Sequence, residues 1–330
     1  RHLTEDADYH INLEVKLKSD CVWAKAGHVV ATEQFLLKEK KRKSEMPEPS
    51  EPLQVIEERQ YIRFRAPGTE VSFDSKTGMM IALRYDGRNL IHRQQGPSLN
   101  WYRSINNDPR EWIQPVIALR GFDWKMAEDG KSASILSEIE VKVGKVTVPY
   151  TIRYQVYSNG VVDVAADFTT GSNFDLPRLA LQMFLNPSLE QVEWYGRGPM
   201  ENYRDRKNAA YIGRYQTTVT DMAEHYARAQ TMGGRTDTRW LSLTDDRGKG
   251  LRITATDAVD FSAQHYTDKD LWQVKYGHDL PDIRRAEVVL NLDCIQRGLG
   301  NASCGPGPRP HYEIRKDTVY SYSFRMEPLR

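Results

Sequence analysis

Two carboxylic acids in the segment Trp194–Arg206 are the residues of this sequence best placed to do chemistry together. Glu201 and Asp205 share this segment, and two carboxyl groups about 5 Å apart can hydrolyse a glycosidic bond as acid–base and nucleophile. Three arginines lie among them: Arg197, Arg204 and Arg206. Because a nearby guanidinium keeps a carboxylate ionised rather than raising its pKa, we expect salt bridges that hold this segment in place. The sequence therefore predicts no catalytic residue here.

The backbone of this segment is shaped by Gly196, Gly198 and Pro199. Glycine permits backbone angles that other residues avoid, and proline fixes one angle and removes an amide donor. The many glycines, charges and aromatic residues predict a loop rather than a strand, with Asn202 and Tyr203 beside the two acids. Because strand-like regions flank it, a rigid sheet can position this loop for function. The simpler interpretation is a surface turn with scattered charge.

The elements that must position this loop are short β-strands. From Val55 onwards, apolar runs alternate with turn pairs such as Pro67-Gly68 and the hairpin signal Asn159-Gly160. Many short strands with turn residues between them are typical of a β-sandwich or barrel. Helical signals are nearly absent, although residues 215–225 could form one short turn. The sequence predicts an all-β fold.

The first 45 residues form a separate piece. Ile11–Lys18 alternates between apolar and polar residues, as a half-buried antiparallel strand does, and Val22–Ala31 with Gln34–Leu37 gives the next strand. Two or three strands bury little, so residues 1–45 are expected to end a sandwich domain whose earlier strands lie elsewhere. Residues 46–52, within the charged and proline-rich run 38–52, are predicted to be a linker to the main domain, residues 53–330.

Composition argues against several classes of function. In 330 residues, 46 Lys plus Arg balance 45 Asp plus Glu, and a net charge of +1 gives no reason to expect nucleic acid or a membrane surface as partner. No apolar run is long enough for a transmembrane helix and no signal peptide is visible, which leaves a cytoplasmic or a periplasmic location open. Three cysteines make no disulfide framework. Without a CxxC or a spaced histidine pair, we predict no metal site.

Trp194–Asp205 also carries a family motif. Its letters W-Y-G-R-G-P-M-E-N-Y-R-D resemble the G-x-G-P-x-E-N-Y-x-D motif in the C-terminal domain of family 2 glycoside hydrolase β-galactosidases. Three further blocks resemble the same family in the same order: Gly233–Leu243, Phe261–Leu271 and Leu290–Pro306. The resemblance covers residues 56–330 well and residues 1–45 more weakly. It implies a large antiparallel two-sheet super-sandwich of the galactose mutarotase type, preceded by the last strands of an immunoglobulin-like sandwich.

The resemblance implies a part of an enzyme rather than a whole one. The catalytic glutamates of the family lie on a (β/α)₈ barrel, and no βα repeats occur in this sequence. We therefore expect a non-catalytic C-terminal part of a β-galactosidase that completes the wall of the active site and buttresses the barrel. The implied partners are that barrel, on the same protein or on a large subunit, a β-galactoside and further copies in an oligomer. The family often uses Mg²⁺ and Na⁺, but largely through residues outside this segment, so no cofactor is expected here.

The same resemblance places two loops near the sugar. Asn106, Asn107 and Asp108 occupy the place of the family's R-A-P-x-D-N-D loop near the active-site mouth, although the residues before them depart from that pattern. The second loop, residues 297–308, holds a tryptophan against the sugar in the best-known members. The matching position here is Cys304, next to Ser303. The resemblance therefore implies the location of this loop but no aromatic stacking.

Two other functions are compatible with the same residues. A mutarotase-like epimerase needs a histidine acid and a carboxylate base across the sugar, for which His265 with Glu313 or Asp293 is the candidate set. The C-terminal domains of family 2, however, carry that histidine without being epimerases. A stand-alone carbohydrate-binding module could use tryptophan or tyrosine side chains as stacking faces. An assay of α- to β-galactose conversion separates the epimerase from the other two functions.

Overall fold

The fold is built almost entirely of antiparallel strands. The computed structural model describes residues 3–5, 7–40, 48–49, 51–106, 108–110, 113–171, 175–301 and 305–330. The chain divides into two compact units, Arg1–Glu48 and Pro49–Arg330. The smaller unit is a ribbon of two antiparallel strands, β1 (Tyr9–Lys16) and β2 (Val29–Lys38).

The ribbon leaves its apolar residues exposed. Ile11, Leu13 and Val15 lie on β1, which was predicted as a half-buried strand, but they are 42%, 52% and 58% exposed. The strand predicted from residue 22 begins only at Val29, because Gly27, with a φ of +86°, closes a turn before it. Two strands without a second packed layer bury little apolar surface.

The described strands of the larger unit form two antiparallel sheets. The smaller sheet has five strands in chain order: β3 (Gln54–Glu58), β4 (Tyr61–Ala66), β5 (Thr69–Asp74), β6 (Met79–Tyr85) and β7 (Arg88–Asn89).

The larger sheet has twelve strands. They are β8 (Ser98–Asn100), β9 (Val116–Met126), β10 (Ser132–Val143), β11 (Val146–Tyr157), β12 (Val162–Thr169), β13 (Arg178–Leu185), β14 (Gln191–Gly198), β15 (Tyr211–Thr218), β16 (Arg235–Thr244), β17 (Gly250–Gln264), β18 (Val288–Gln296) and β19 (Val319–Leu329). The main path is β15-β14-β16-β17-β19-β12-β11-β10-β9. A branch leaves β17 through β18 and β13 to β8.

The two sheets pack face to face on an aromatic and aliphatic core. Along β10, residues alternate strictly between buried and outward-facing positions, which is the period-2 pattern of a strand with one core face. Phe64 of the smaller sheet meets Trp124 of the larger one with ring centroids 5.5 Å apart, and Phe73 meets Tyr154 at 5.0 Å. Phe64 and Phe73 are fully buried, and a fully buried phenylalanine stabilises a fold by roughly 1.5–3 kcal/mol. The predicted all-β, two-sheet fold is confirmed.

The prediction of a loop over Trp194–Gly198 is wrong, because these residues end strand β14. Both glycines are there for close packing within the sheet. A Cβ on Gly196 would lie 2.8 Å from the Cα of Thr238, and one on Gly198 would lie 2.9 Å from the ring of Trp194. The loop begins only at Pro199.

Helical structure is short and lies between strands. The turn expected within residues 215–225 is a 3₁₀ helix at Thr220–Met222, after β15. Helix α1 (Asp268–Gln273) begins at a capping box in which the Thr267 hydroxyl binds the Asp270 amide and the Asp270 carboxylate binds the Thr267 amide. Two more 3₁₀ helices cover Gly277–Ile283 and Pro310–Tyr312. Among the described residues, no helix is long and apolar enough to cross a membrane.

Candidate functional site

Four segments of the larger unit contribute described residues to one cleft of about 330 Å³. They are the motif loop (residues 199–206), the segment 101–108, the segment 226–231 and the glycine-rich loop (residues 297–308). The described residues that line the cleft are Ile105, Glu201, Tyr203, Arg206, Tyr226, Gln230, Thr231, Leu299, Gly300 and Asn301. The structure thus brings the family motif together with both loops that the sequence placed near a sugar.

Glu201 lies in the wall of the cleft and accepts three hydrogen bonds. The donors are the Gly233 amide at 2.8 Å, the Tyr203 hydroxyl at 3.1 Å and the Tyr226 hydroxyl. Burial, then the hydrogen bond and charge of Glu201, raise the pKa of Tyr226. The expected salt bridge with an arginine of the motif loop is replaced by these neutral donors, which fix both oxygens of the carboxylate.

Asn202 attaches the motif loop to strand β16. Its buried amide oxygen accepts hydrogen bonds from the Thr236 amide at 2.9 Å and the Thr236 hydroxyl at 2.6 Å. Its own backbone amide donates to the Gly234 carbonyl at 2.9 Å, and its side-chain amide donates to the Met200 carbonyl at 3.0 Å. Buried polar groups that are fully paired in this way fix one backbone path.

Asp205 and the arginines of the motif loop bind the backbone of neighbouring segments. Asp205 accepts hydrogen bonds from the amides of Leu299 at 2.9 Å and Gly300 at 2.7 Å. Arg206 donates to the Gly300 carbonyl, and Arg204 to the carbonyl of His311. The third arginine of the motif forms its ion pair with Asp237 of β16. The predicted stapling of this loop therefore works through backbone groups rather than through ion pairs with Glu201 and Asp205.

A buried ionic group holds the segment 101–108 against the glycine-rich loop. Arg103 and Asp108 are fully buried and form a two-point ion pair. Arg103 also donates to the carbonyls of Arg297 and Gly298, while Arg297 reaches Asp108 at 3.3 Å and Glu313 at 2.5 Å. Asp108 is thus enclosed by two guanidinium groups, and Ile105 of the same segment lines the cleft.

Of the other predicted sugar-proximal residues, the structure describes Asn106. The carbonyl of Asn106 accepts a hydrogen bond from Arg110 at 2.8 Å, beside the cleft-lining Ile105. Asn107, Ser303 and Cys304 lie outside the described residues. The glycine-rich loop reaches the cleft through its residues 299–301.

Sequence reasoning missed Tyr226, Gln230 and Thr231, which line the cleft. They precede the block that starts at Gly233, and no motif covers them. The Thr231 hydroxyl accepts a hydrogen bond from the Ser104 amide at 2.6 Å. Its only sequence signal is a polar residue two positions before the pair Gly233-Gly234, which does not identify a site.

A second buried ionic group lies behind Thr231 and was also missed. The Thr231 hydroxyl donates to Asp268 at 2.6 Å, and Asn100 donates to the same carboxylate at 3.2 Å. Arg178 binds Asp268 at 2.8 Å and holds Asp293 through two bonds of 2.7 and 2.8 Å. Burial alone would lower the pKa of Arg178, but the charges of Asp293 and Asp268 raise it. This group ties helix α1 and strands β8, β13 and β18 to the wall of the cleft.

The comparison with protein families decides what this site belongs to. A family model described as "Beta galactosidase small chain" matches residues 65–326, and a model of "Beta-galactosidase, domain 4" matches residues 1–38. The chain belongs to the β-galactosidase small-chain family.

Relatives of this small-chain protein cover nearly all of it. The beta-galactosidase of Priestia megaterium is 24% identical over 98% of the chain, and that of Halalkalibacterium halodurans is 26% identical over 98%. The beta-galactosidase of Arthrobacter sp. is 31% identical over 46% of the chain. The chain spans about a third of the length of the first two relatives, 32% and 33%.

Solved structures similar to the small-chain protein include a galactose 1-epimerase from Lactobacillus acidophilus. It has a TM-score of 0.44 and 9% identity, over 84% of this chain and 98% of that one. An aldose epimerase homologue from C. elegans has a TM-score of 0.45 and 10% identity, over 83% and 98% of the two chains.

The residue set considered for an epimerase does not come together in this small-chain protein. His265 is buried, with Nε2 3.1 Å from a Glu190 oxygen and Nδ1 3.2 Å from the Glu287 carbonyl. Of its two candidate partners, Asp293 is bound to Arg178 and Glu313 to Arg297. The histidine therefore has a different carboxylate beside it from those the sequence suggested.

Within the described ranges, no group of three or more His, Cys, Asp or Glu residues is arranged to hold a metal ion. Glu201, which lines the cleft, and Asp205 of the same loop accept hydrogen bonds from backbone amides.

The carboxyl of Asp260 gives the small-chain protein a pH-dependent stability. Asp260 lies opposite Asp293 on the neighbouring strand β18. Burial, with the charges of Asp237 and Asp293, raises its pKa from 3.8 to about 7. Between these values the folded state retains a proton that the unfolded state releases, so stability falls as pH rises from about 4 to about 7.

We expect Asp260→Asn to raise the free energy of unfolding relative to wild type more at pH 8 than at pH 5. The difference should be on the order of a few kcal/mol, since one pKa unit corresponds to about 1.4 kcal/mol. An amide cannot ionise, and its oxygen can still accept the hydrogen bond from the Asp237 amide, which is 3.1 Å long. Urea unfolding of both proteins at the two pH values measures the difference. An equal effect of the substitution at pH 5 and pH 8 would contradict the assignment.

Proposed function

We propose that this chain is the non-catalytic C-terminal part of a β-galactosidase, which completes the wall of the sugar site and buttresses a catalytic (β/α)₈ barrel. The barrel would lie on another segment of the same protein or on a large subunit, and assembly into an oligomer is expected. One observation carries the proposal. The family motif and two further loops converge on one cleft, and the sole carboxylate among its described lining residues, Glu201, already accepts three hydrogen bonds.

The arrangement of the two acids supports a non-catalytic role. A retaining glycosidase needs one carboxyl group free to transfer a proton and another free to attack the sugar. Each oxygen of Asp205 accepts a hydrogen bond from a separate backbone amide, and Glu201 is held by Gly233, Tyr203 and Tyr226. Both acids therefore serve as hydrogen-bond acceptors that fix loops.

The lining of the cleft supports contact with a neutral, hydroxyl-rich ligand. Tyr226 is 37% exposed and offers part of an aromatic ring, while Gln230 and Asn301 offer amide groups. Sites of this kind combine an apolar surface with a few placed polar groups, usually in volumes of about 300–1,000 Å³. The predicted proximity of Asn106, Asn107, Asp108, Ser303 and Cys304 to the sugar belongs to the same proposal.

We expect the isolated chain to show no hydrolysis of a chromogenic β-galactoside above buffer. Mixing it with the polypeptide that carries the parent's barrel should restore turnover that neither polypeptide shows alone. Steady-state release of nitrophenol from the two proteins, separately and together, is the measurement. Repurified chain that hydrolyses the substrate alone, and loses this activity in Glu201→Gln, would overturn the proposal.

Two further measurements on the same sample address the alternative functions. A coupled assay of α- to β-galactose conversion, with His265→Ala as the variant, would reveal an epimerase. Saturable binding of galactose to the chain alone, with no effect on a barrel polypeptide, would favour a carbohydrate-binding module. Either result would contradict the proposal that this chain forms the wall of an active site.

A further inference from the structure

We infer that Asp205 is a positioning residue that holds residues 298–301 of the glycine-rich loop as one wall of the cleft. The inference deepens the proposed function and depends on it only for the effect on sugar binding. Asp205 is not among the described residues that line the cleft, whereas Leu299, Gly300 and Asn301 are. Asp205 therefore makes no direct contribution to the described lining of the cleft.

Each oxygen of the Asp205 carboxylate binds one of two successive backbone amides. Oδ1 accepts from Leu299 at 2.9 Å and Oδ2 accepts from Gly300 at 2.7 Å. Gly300 has a φ of +53°, so the two amides form a small concave site for an anion. Charge-assisted hydrogen bonds of this kind are roughly twice as strong as neutral ones.

Gly298 makes this close approach possible. A Cβ at this position would lie 2.9 Å from Oδ2 of Asp205 and 2.8 Å from the Cβ of Tyr312. The Gly298 amide donates to the Tyr312 carbonyl at 2.9 Å, which keeps the backbone against that residue. A side chain at residue 298 would therefore separate the loop from the carboxylate that holds it.

Two arginine side chains bind the backbone carbonyls of the same loop. Buried Arg103 donates to the carbonyls of Arg297 and Gly298, and Arg206 donates to the carbonyl of Gly300. The carbonyls of these residues thus accept hydrogen bonds from guanidinium groups, whereas the amides of Leu299 and Gly300 donate to a carboxylate. Because these residues lie outside any helix or strand, the side-chain contacts replace the ladder that would otherwise fix the backbone.

Asp205→Asn tests the inference without changing the size of the side chain. An amide group has only one oxygen, so its NH₂ would face one of the two N–H donors. In this chain we expect the amides of Leu299 and Gly300 to exchange with solvent about fivefold faster or more, as the loss of one hydrogen bond implies. Hydrogen exchange resolved to these residues by NMR gives the result, and unchanged exchange overturns the inference.

In the assembled enzyme the same variant should raise KM by about threefold to tenfold with little change in kcat, because the wall is displaced while the reacting groups stay in place. Gly298→Ala should produce the same change in KM with little change in kcat. It disturbs the loop that Asp205 holds while it leaves the charge of Asp205 intact. Faster exchange with unchanged kinetics would support the positioning of the loop and would count against the proposed wall of the sugar site.

Asp245→Asn is the matched control. Asp245 also accepts two backbone amides, from Arg247 and Lys249, both at 2.9 Å and both on Oδ1, while its Oδ2 pairs with Arg88 at 2.6 Å. It follows the last residue of β16, whereas the motif loop is bound beside the first residues of that ten-residue strand, roughly 30 Å away at about 3.3 Å per residue. This variant should leave KM, kcat and the exchange of Leu299 and Gly300 unchanged. A KM increase equal to that of Asp205→Asn would show a general loss of stability and overturn the inference.

Discussion

Arg178→Leu is expected to lower the free energy of unfolding by about 3–5 kcal/mol at neutral pH, the usual cost of breaking a buried ion pair from one side. Arg178 is 1% exposed, and its guanidinium neutralises Asp293 and Asp268. Leucine would leave two carboxylates in the interior without a cation. Urea unfolding at pH 7, followed by circular dichroism, measures the loss.

Arg325→Leu is the matched control for this prediction. Arg325 also forms a two-point pair, with Asp163 at 2.7 and 2.9 Å, but the two side chains are 15% and 34% exposed. Water can solvate the carboxylate that remains, so we expect a cost of less than about 1 kcal/mol. Equal losses in the two variants would show that burial around Arg178 does not govern its contribution.

Arg103→Leu is expected to reduce both stability and, in the assembled enzyme, activity. Asp108 would keep only Arg297, 3.3 Å away, so we expect a loss of about 2–4 kcal/mol in the free energy of unfolding. The carbonyls of Arg297 and Gly298 would lose their donor, which frees the wall of the cleft. We expect kcat/KM for a β-galactoside to fall by more than about tenfold.

The two effects of Arg103→Leu can be separated by temperature and by a control. Kinetics measured well below the melting temperature report the cleft, while thermal unfolding reports the fold. Arg63→Leu removes an arginine whose pair with Glu58, 2.8 Å long, is 30% and 61% exposed in the smaller sheet. It should change neither quantity appreciably. If Arg103→Leu melts earlier but keeps its kcat/KM, Arg103 supports the fold and not the site.

Both arginines stand behind the loops of the cleft rather than in it. Arg178 acts through Asp268 on Thr231, and Arg103 acts directly on the backbone of the glycine-rich loop. Charged residues are rarely fully buried unless they are paired. Their place here is consistent with irregular loops that need side-chain partners in order to keep one conformation.

The sequence determined the fold class and the family, because both depend on local or linear information. Alternation along Ser132–Val143 needs only the two-residue period of a strand, and the turn at Gly160, with a φ of +91°, needs only a residue without a Cβ. Matched blocks in fixed order likewise require no knowledge of contacts. The sequence also determined which loops to consider, and Glu201, Ile105 and Asn301 from those loops do line one cleft.

The tertiary structure alone decided what each polar residue binds. Glu201 pairs with Gly233 and Asp205 with Leu299, which are 32 and 94 positions away along the chain. Such partners follow from the order of strands in the larger sheet, where β14 lies between β15 and β16, and that order is a property of the whole packed core. The same reason explains the error over Trp194–Gly198. Its glycines indicate a loop when only neighbours in sequence are considered, but in the structure they lie in a strand. Glycine is needed there because Thr238 and Trp194 occupy the space that a Cβ would take.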